Sequence, residues 1–247
     1  MKKRTSIFYA FNFAFITIAS CILILLFGLY FGVFLKNKSE DSKATSSSCD
    51  NITYVIDAGH GGEDAGAIAA DGTLEKDLNL EIASLLSCLL ELNGNNVKMT
   101  RTTDTLLYDH FDDLDDYTGQ KKVYDLKNRV KIAQAYENPV FVGIHMNKFS
   151  DAKYSGLQVY YSKNNSNSLN IASNIKGLVK KYLQAQNNRE VKGADSSIYV
   201  LDKIDCPAVL IECGFLSNED ELLNLKSKDY QEKLSLALFC ALIENEN

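Results

Sequence analysis

The stretch VIDAGHGGEDAGA occupies residues 55–67. Its apolar start, Val55-Ile56, gives way to an acid, Asp57, and then to His60 set among Gly59, Gly61, Gly62 and Gly66. A short apolar run bounded by glycine reads as a buried strand. Glycines let the backbone turn sharply and come close to whatever the turn holds. Next, Glu75 opens a segment with apolar residues at helical spacing: Leu78, Ile82, Leu85, Leu86, Leu89 and Leu90. A strand, a glycine turn and a helix in that order form the first unit of an α/β chain.

The same alternation continues outward. Strands are expected at 54–56, 96–100, 139–145, 156–161 and 207–212, with 198–201 also extended. Helices are expected at 75–92, 126–136, 168–186, 218–224 and 230–244. This rhythm predicts a mostly parallel twisted sheet with helices on both faces. Functional groups should then collect at the carboxyl ends of the strands.

Three of the apolar runs end in chemistry. His60 follows the first, His145 closes the run at 140–144, and Glu212 follows Ala208-Val209-Leu210-Ile211. Two histidines and a carboxylate delivered by strand ends and a helix start can hold one zinc ion with a coordination position left open. Each residue also has a plainer reading. His60 fits a turn residue, Glu75 an acid favoured by the helix dipole, and His145 a strand-end cap. The chain has 3 histidines, and two of them end apolar runs, which favours the ligand reading. An acid at the end of a buried strand should be paired or at work. Beside a zinc ion, Glu212 suits a general base that later acts as a general acid. Asn147, two residues past His145, suits a contact behind a ligand or to substrate. His110, in an acidic segment, reads as exposed.

The first part of the chain is unlike the rest. Lys2, Lys3 and Arg4 precede an uncharged stretch at 5–35. Its dense portion, 13–35, is long enough to span a bilayer at ~1.5 Å per residue. A cleaved signal peptide has a shorter apolar core, about 7–15 residues, with small residues after it. The expectation is therefore an uncleaved transmembrane helix within residues 1–35. The basic leader puts the N-terminus inside and the main domain outside the cell membrane. The polar stretch 36–51 reads as a flexible linker, and 52–247 as one catalytic domain.

With 26 basic and 32 acidic side chains the net charge is −6, and the part beyond the basic leader is more acidic still. That excludes nucleic acid as an expected partner, since phosphate binding needs a basic surface. The 6 cysteines show no pairing framework and read as small buried apolar residues. The segment 106–123 carries Asp109, Asp112, Asp113, Asp115 and Asp116 without the spacing of a calcium loop. It reads as a solvated connection or a contact for a protein partner.

Several segments together carry a family resemblance: IDAGHGGEDAGA, LEKDLNL around Glu75, MTRTTD at 99–104, GIHMN at 143–147, SGLQVYY at 155–161 and PAVLIECGFLSNEDE at 207–221. From residue 54 onward the chain resembles the zinc-dependent N-acetylmuramoyl-L-alanine amidases that cut bacterial peptidoglycan. The resemblance implies one zinc ion on His60, Glu75 and His145, with Glu212 as the catalytic acid. It implies substrate or supporting contacts at Asn147 and at Arg101. The reaction implied is hydrolysis of the amide between N-acetylmuramic acid and L-alanine.

The N-terminal anchor, the acidic insertion and the small size look like the sporulation subgroup, which prepares spore cortex peptidoglycan for muramic lactam formation. Gly143 stands where relatives commonly have serine, and Asp202 where they often have a basic residue. Wall-binding repeats are not seen in the sequence, so targeting is expected to rest on the anchor or on an extracytoplasmic regulatory protein. Two other readings compete: a catalytically weak peptidoglycan-binding protein of the same fold, and a zinc peptidase cutting stem peptides. Retention of all four site residues argues against the first.

Overall fold

The computed structural model describes residues 52–111 and 120–244. The expected span at 1–35, the linker at 36–51 and the acidic positions 112–119 lie outside the described residues. Among the described residues no helix is long and apolar enough to cross a membrane.

Strand β1 (Thr53–Ala58) is buried along its whole length, as a strand covered on both faces must be. Helix α1 (Glu75–Leu92) follows and buries Leu78, Ile82, Leu86 and Leu90, one stripe at helical spacing. Burying each such side chain contributes roughly 1.5–3 kcal/mol. The helix returns the chain to β2 (Asn96–Met99), which pairs parallel with β1. Helix α2 (Lys121–Gln134) then leads to β3 (Pro139–Asn147), parallel to β1 on its other side. The chain thus reverses its direction of travel across the sheet between β1 and β3. In open α/β sheets that switch point is where a crevice opens outside the strand ends.

The remaining elements are β4 (Gln158–Tyr161), α3 (Asn167–Tyr182), β5 (Lys192–Gly193), α4 (Tyr199–Lys203), β6 (Ala208–Phe215), α5 (Glu219–Lys226) and α6 (Lys228–Ile243). The sheet order is β2-β1-β3-β6-β4-β5. β6 is parallel to β3, while β4 runs antiparallel to β6 and pairs parallel with β5. The larger core packs α1, α3, α5 and α6 against one face, through residues such as Ile82, Ile175, Leu225 and Leu238. The smaller core packs α2 and α4 on the other face, through Ile132, Ala133, Val200 and Leu201 around Phe141.

The architecture matches the expected mostly parallel sheet with helices, and the departures have local causes. Residues 198–201 are not a strand. Tyr199–Lys203 is a helical turn that sends Val200, Leu201 and then Ile204 into the smaller core. Four apolar residues are too few for periodicity to separate the two states. α2 starts at Lys121 rather than 126, because its buried face is polar: Asp125, Asn128 and Arg129 sit on it beside Ile132 and Ala133. β3 and β6 run on past His145 and Glu212 to Asn147 and Phe215, with a register shift between His145 and Asn147. The two-residue β5 left no sequence signal. Of the four cysteines among the described residues, Cys213 is buried and Cys206 and Cys240 half-buried, but Cys88 is exposed; all four are free.

Candidate metal centre

His60, Glu75 and His145 meet at the switch point. One ligand atom from each lies within 4.8 Å of the others. His60 arrives on the turn leaving β1, Glu75 is the first residue of α1, and His145 lies near the end of β3. Glu75 Oε1 is 3.3 Å from His60 Nε2 and 3.1 Å from His145 Nδ1. The carboxylate is buried, while both imidazoles are 19% exposed.

Each donor is held from behind. Glu75 Oε2 accepts from the Ala67 amide at 2.7 Å, and Oε1 accepts from the Met146 amide at 3.0 Å. His60 Nδ1 is 2.9 Å from Asp64 Oδ2. A proton on that nitrogen leaves the Nε2 lone pair free to bind a cation. Asp64 is in turn 3.3 Å from Lys122 Nζ on α2.

Burial alone would lower the pKa of His60, but Glu75 and Asp64 beside it raise it above the ordinary histidine value. Burial alone would raise that of Glu75, but hydrogen bonds from His145 and His60 hold it far below the carboxylate range. One carboxylate and two imidazole nitrogens are a donor set that would suit a divalent cation such as zinc.

Two glycines make the room. A Cβ on Gly59 would stand 2.2 Å from His145 Cε1, inside the ring's own space. Gly66 has φ +67, and a Cβ there would meet Glu75 Oε2 at 2.6 Å and His60 Cδ2 at 2.7 Å. Both positions exclude every side chain for a packing reason that bears directly on the donors.

Glu212 sits on β6 directly across from His145 on β3. A pocket of about 260 Å³ is lined by His60, His145 and Glu212, with α2 and α4 as its walls through Leu126, Tyr199 and Val200. Glu212 Oε2 is buried with no hydrogen-bond partner. Burial is the main cause that pushes its carboxyl up to about 7, and Glu75 nearby adds to the rise. A buried carboxyl poised near neutrality beside a convergent donor set suits proton transfer.

Asn147 ends β3, half-buried, and its carbonyl accepts from the Leu216 amide at 2.8 Å. It is not among the residues lining the pocket. Arg101 is buried, and its guanidinium points at backbone. Nε donates to Ala58 O at 2.8 Å, and one terminal nitrogen donates to Gly59 O at 3.0 Å and Lys76 O at 2.8 Å. It supports the His60 turn from behind. His110 is exposed and packs on Phe111, and it is not one of the grouped donors.

Sequence reasoning passed over three residues here. Asp64, four positions after His60, is one. Asp57 and Arg129, an ion pair buried under the turn, are the others. Asp57 had a usable signal, since an acid inside a buried run needs a partner. Arg129 had a fainter one, as a cation on the inward stripe of its helix.

Comparison with known proteins agrees with this geometry. The family model for N-acetylmuramoyl-L-alanine amidase matches residues 55–244. The germination-specific N-acetylmuramoyl-L-alanine amidase of Bacillus subtilis is 31% identical over 222 residues, covering 90% of this chain and 89% of that protein. The CwlD amidase from Clostridioides difficile, solved in complex with the GerS lipoprotein, aligns at 42% identity with a TM-score of 0.71 over 78% of this chain and 96% of that one. The amidase AmiC2 of Nostoc punctiforme aligns at 28% identity with a TM-score of 0.67 over 79% and 97% of the two chains. A match that takes in the His60 turn, the start of α1, β3 and β6 together leaves one assignment: this chain belongs to the N-acetylmuramoyl-L-alanine amidase family.

Proposed function

We propose that the protein is a zinc-dependent hydrolase of the amide joining the lactyl group of N-acetylmuramic acid to L-alanine in peptidoglycan. The observation that carries the reading is the convergence of His60, Glu75 and His145 within 4.8 Å beside Glu212, whose Oε2 is buried without a partner. One zinc ion held by the three donors supplies Lewis acidity toward the carbonyl and toward water. Asp64 keeps the His60 ring in the tautomer that presents Nε2. Glu212 takes a proton from the attacking water as oxygen adds to the amide carbon. When the C–N bond breaks, it returns that proton to the alanine nitrogen. The products are a lactyl carboxylate and a stem peptide with a free amine. Arg101 is assigned to holding the turn, and Asn147, outside the pocket lining, to a supporting role at the end of β3.

The likeness to a germination-specific amidase and to CwlD supports a role in spore cortex peptidoglycan, ahead of muramic lactam formation. The reading also includes anchoring through residues 1–35, with the catalytic domain outside the membrane. Because CwlD was solved with a lipoprotein, an extracytoplasmic protein partner belongs to the proposal as well.

The test is mass spectrometry of purified peptidoglycan digested with the zinc-loaded protein. Free lactyl ends are expected. Cleaved stems would make it a peptidase, and intact muropeptides with retained binding would make it a binding protein. Glu212→Gln should keep its zinc and lose turnover by roughly 10²–10⁴ fold. Near-normal digestion by that variant would remove Glu212 from the chemistry.

A further inference from the structure

The turn that carries His60 should be loose. Glycine precedes it at Gly59 and follows it at Gly61 and Gly62. His60 itself has φ 61°, a left-handed conformation that a non-glycine residue leaves unless something holds it there. Its ring direction, and so its place in the donor set, depends on that backbone state.

What holds it comes from two buried guanidinium groups. Arg101 takes the carbonyls of Ala58 and Gly59. Arg129, reaching across from α2, donates to Ala58 O at 3.1 Å and to His60 O at 2.8 Å. Three successive carbonyls are thus fixed by side chains from outside the turn. Arg129 alone reaches the carbonyl of the metal-binding residue.

Arg129 is itself locked. Its Nε donates to Asp125 Oδ2 at 2.7 Å, and a terminal nitrogen pairs with Asp57, which also accepts from the Thr100 hydroxyl at 2.6 Å. Asp125 and Asp57 are buried too, so the guanidinium has one orientation open to it.

We propose that Arg129 is a positioning residue for the zinc site: by gripping the His60 carbonyl it keeps His60 in the left-handed state that aims its ring at Glu75 and His145, and so sets the affinity for zinc. This rests on the zinc reading of the site. The planar fork is the point. Lysine can keep the charge beside Asp57 and Asp125 but cannot reach both the Ala58 and His60 carbonyls.

The experiment measures zinc dissociation constants by chelator competition on the full chain, with the visible spectrum of the cobalt-substituted protein and thermal unfolding in parallel. Arg129→Lys is expected to fold, to weaken zinc binding about 10–100 fold, the scale for residues that support a ligand, and to alter the cobalt spectrum. Gln231→Leu removes a buried amide that bonds to Leu225 O and Glu81. It should lower Tm and leave zinc affinity unchanged, which separates positioning from general stability.

If Arg129→Lys fails to fold, Asp125→Asn decides by the same criteria. Asp125 accepts from both the Arg129 Nε–H and the Leu107 N–H, so the asparagine amide sets a donor against one of them and in either orientation removes the carboxylate charge that locks the guanidinium, while leaving the charge at Asp57. A folded variant with wild-type zinc affinity and cobalt spectrum overturns the proposal. If the wild type itself holds no zinc, the metal reading fails and the positioning role falls with it, a case recognisable from the unmutated protein.

Discussion

Glu212 is the most exacting residue in the molecule. Its Oε2 is buried without a partner, and its carboxyl is pushed up from 4.5 to about 7, chiefly by burial. That rise is also a statement about stability. Below pH 4.5 the folded and unfolded chains both carry the proton. Between pH 4.5 and about 7 the unfolded chain releases it first, so stability falls as pH rises. Above about pH 7 both are ionised and the cost is constant. Glutamine carries no such cost. In chelator, Glu212→Gln should therefore gain Tm over the wild type as pH is raised through that window, with no difference near pH 4. Unfolding curves of both proteins across pH 4–8 check this. A difference that stays flat would mean the carboxyl titrates at its ordinary value.

At the scale of elements, the site depends on how closely the turn after β1 approaches β3. Gly59 is the contact point, with a would-be Cβ 2.2 Å from the His145 ring. Gly59→Ala should displace that ring from Glu75 and weaken zinc at least ~10 fold, while circular dichroism stays native. Unchanged zinc affinity in the chelator assay would show that the turn can give way. Such contacts explain what was legible beforehand. α1 could be read to its ends, because Leu78, Ile82, Leu86 and Leu90 repeat at helical spacing and Asn93-Gly94 stops them. β1 and β3 were legible as apolar runs, and their terminal histidines marked the site.

The opposite direction of β4 was not legible, since a strand's pattern carries no sign of its neighbour's polarity. Nor was the helical turn at Tyr199–Lys203, where tertiary burial of Val200 and Leu201 decides the state. The support of His60 by Arg129 spans 69 positions in sequence. Local pattern has no access to a contact of that kind. The sequence marked the donors, and long-range packing supplied what aims them.

At the scale of the whole molecule, one α/β domain follows a stretch of 35 residues that carries only Lys2, Lys3 and Arg4 as charges. With the proposed anchor, protease added to intact protoplasts should digest the catalytic domain, and immunoblotting for a C-terminal epitope should show its loss. Protection until lysis would place the enzyme on the wrong side for peptidoglycan. The sheet order has a further consequence for synthesis. The central positions are filled out of turn: β1 and β3 are made early, and β6, which lies against β3, is made near the end. A growing chain that has just completed β3 already contains His60, Glu75 and His145, the proposed zinc donors, but lacks Glu212. For the next sixty or so residues of elongation, at about 5–20 residues per second, it carries the proposed metal ligands without the proposed base. On the proposed roles, the nascent chain gains its base only when its last strand takes its place beside β3, so a product truncated before Ala208 is expected to show no hydrolysis in the muropeptide assay.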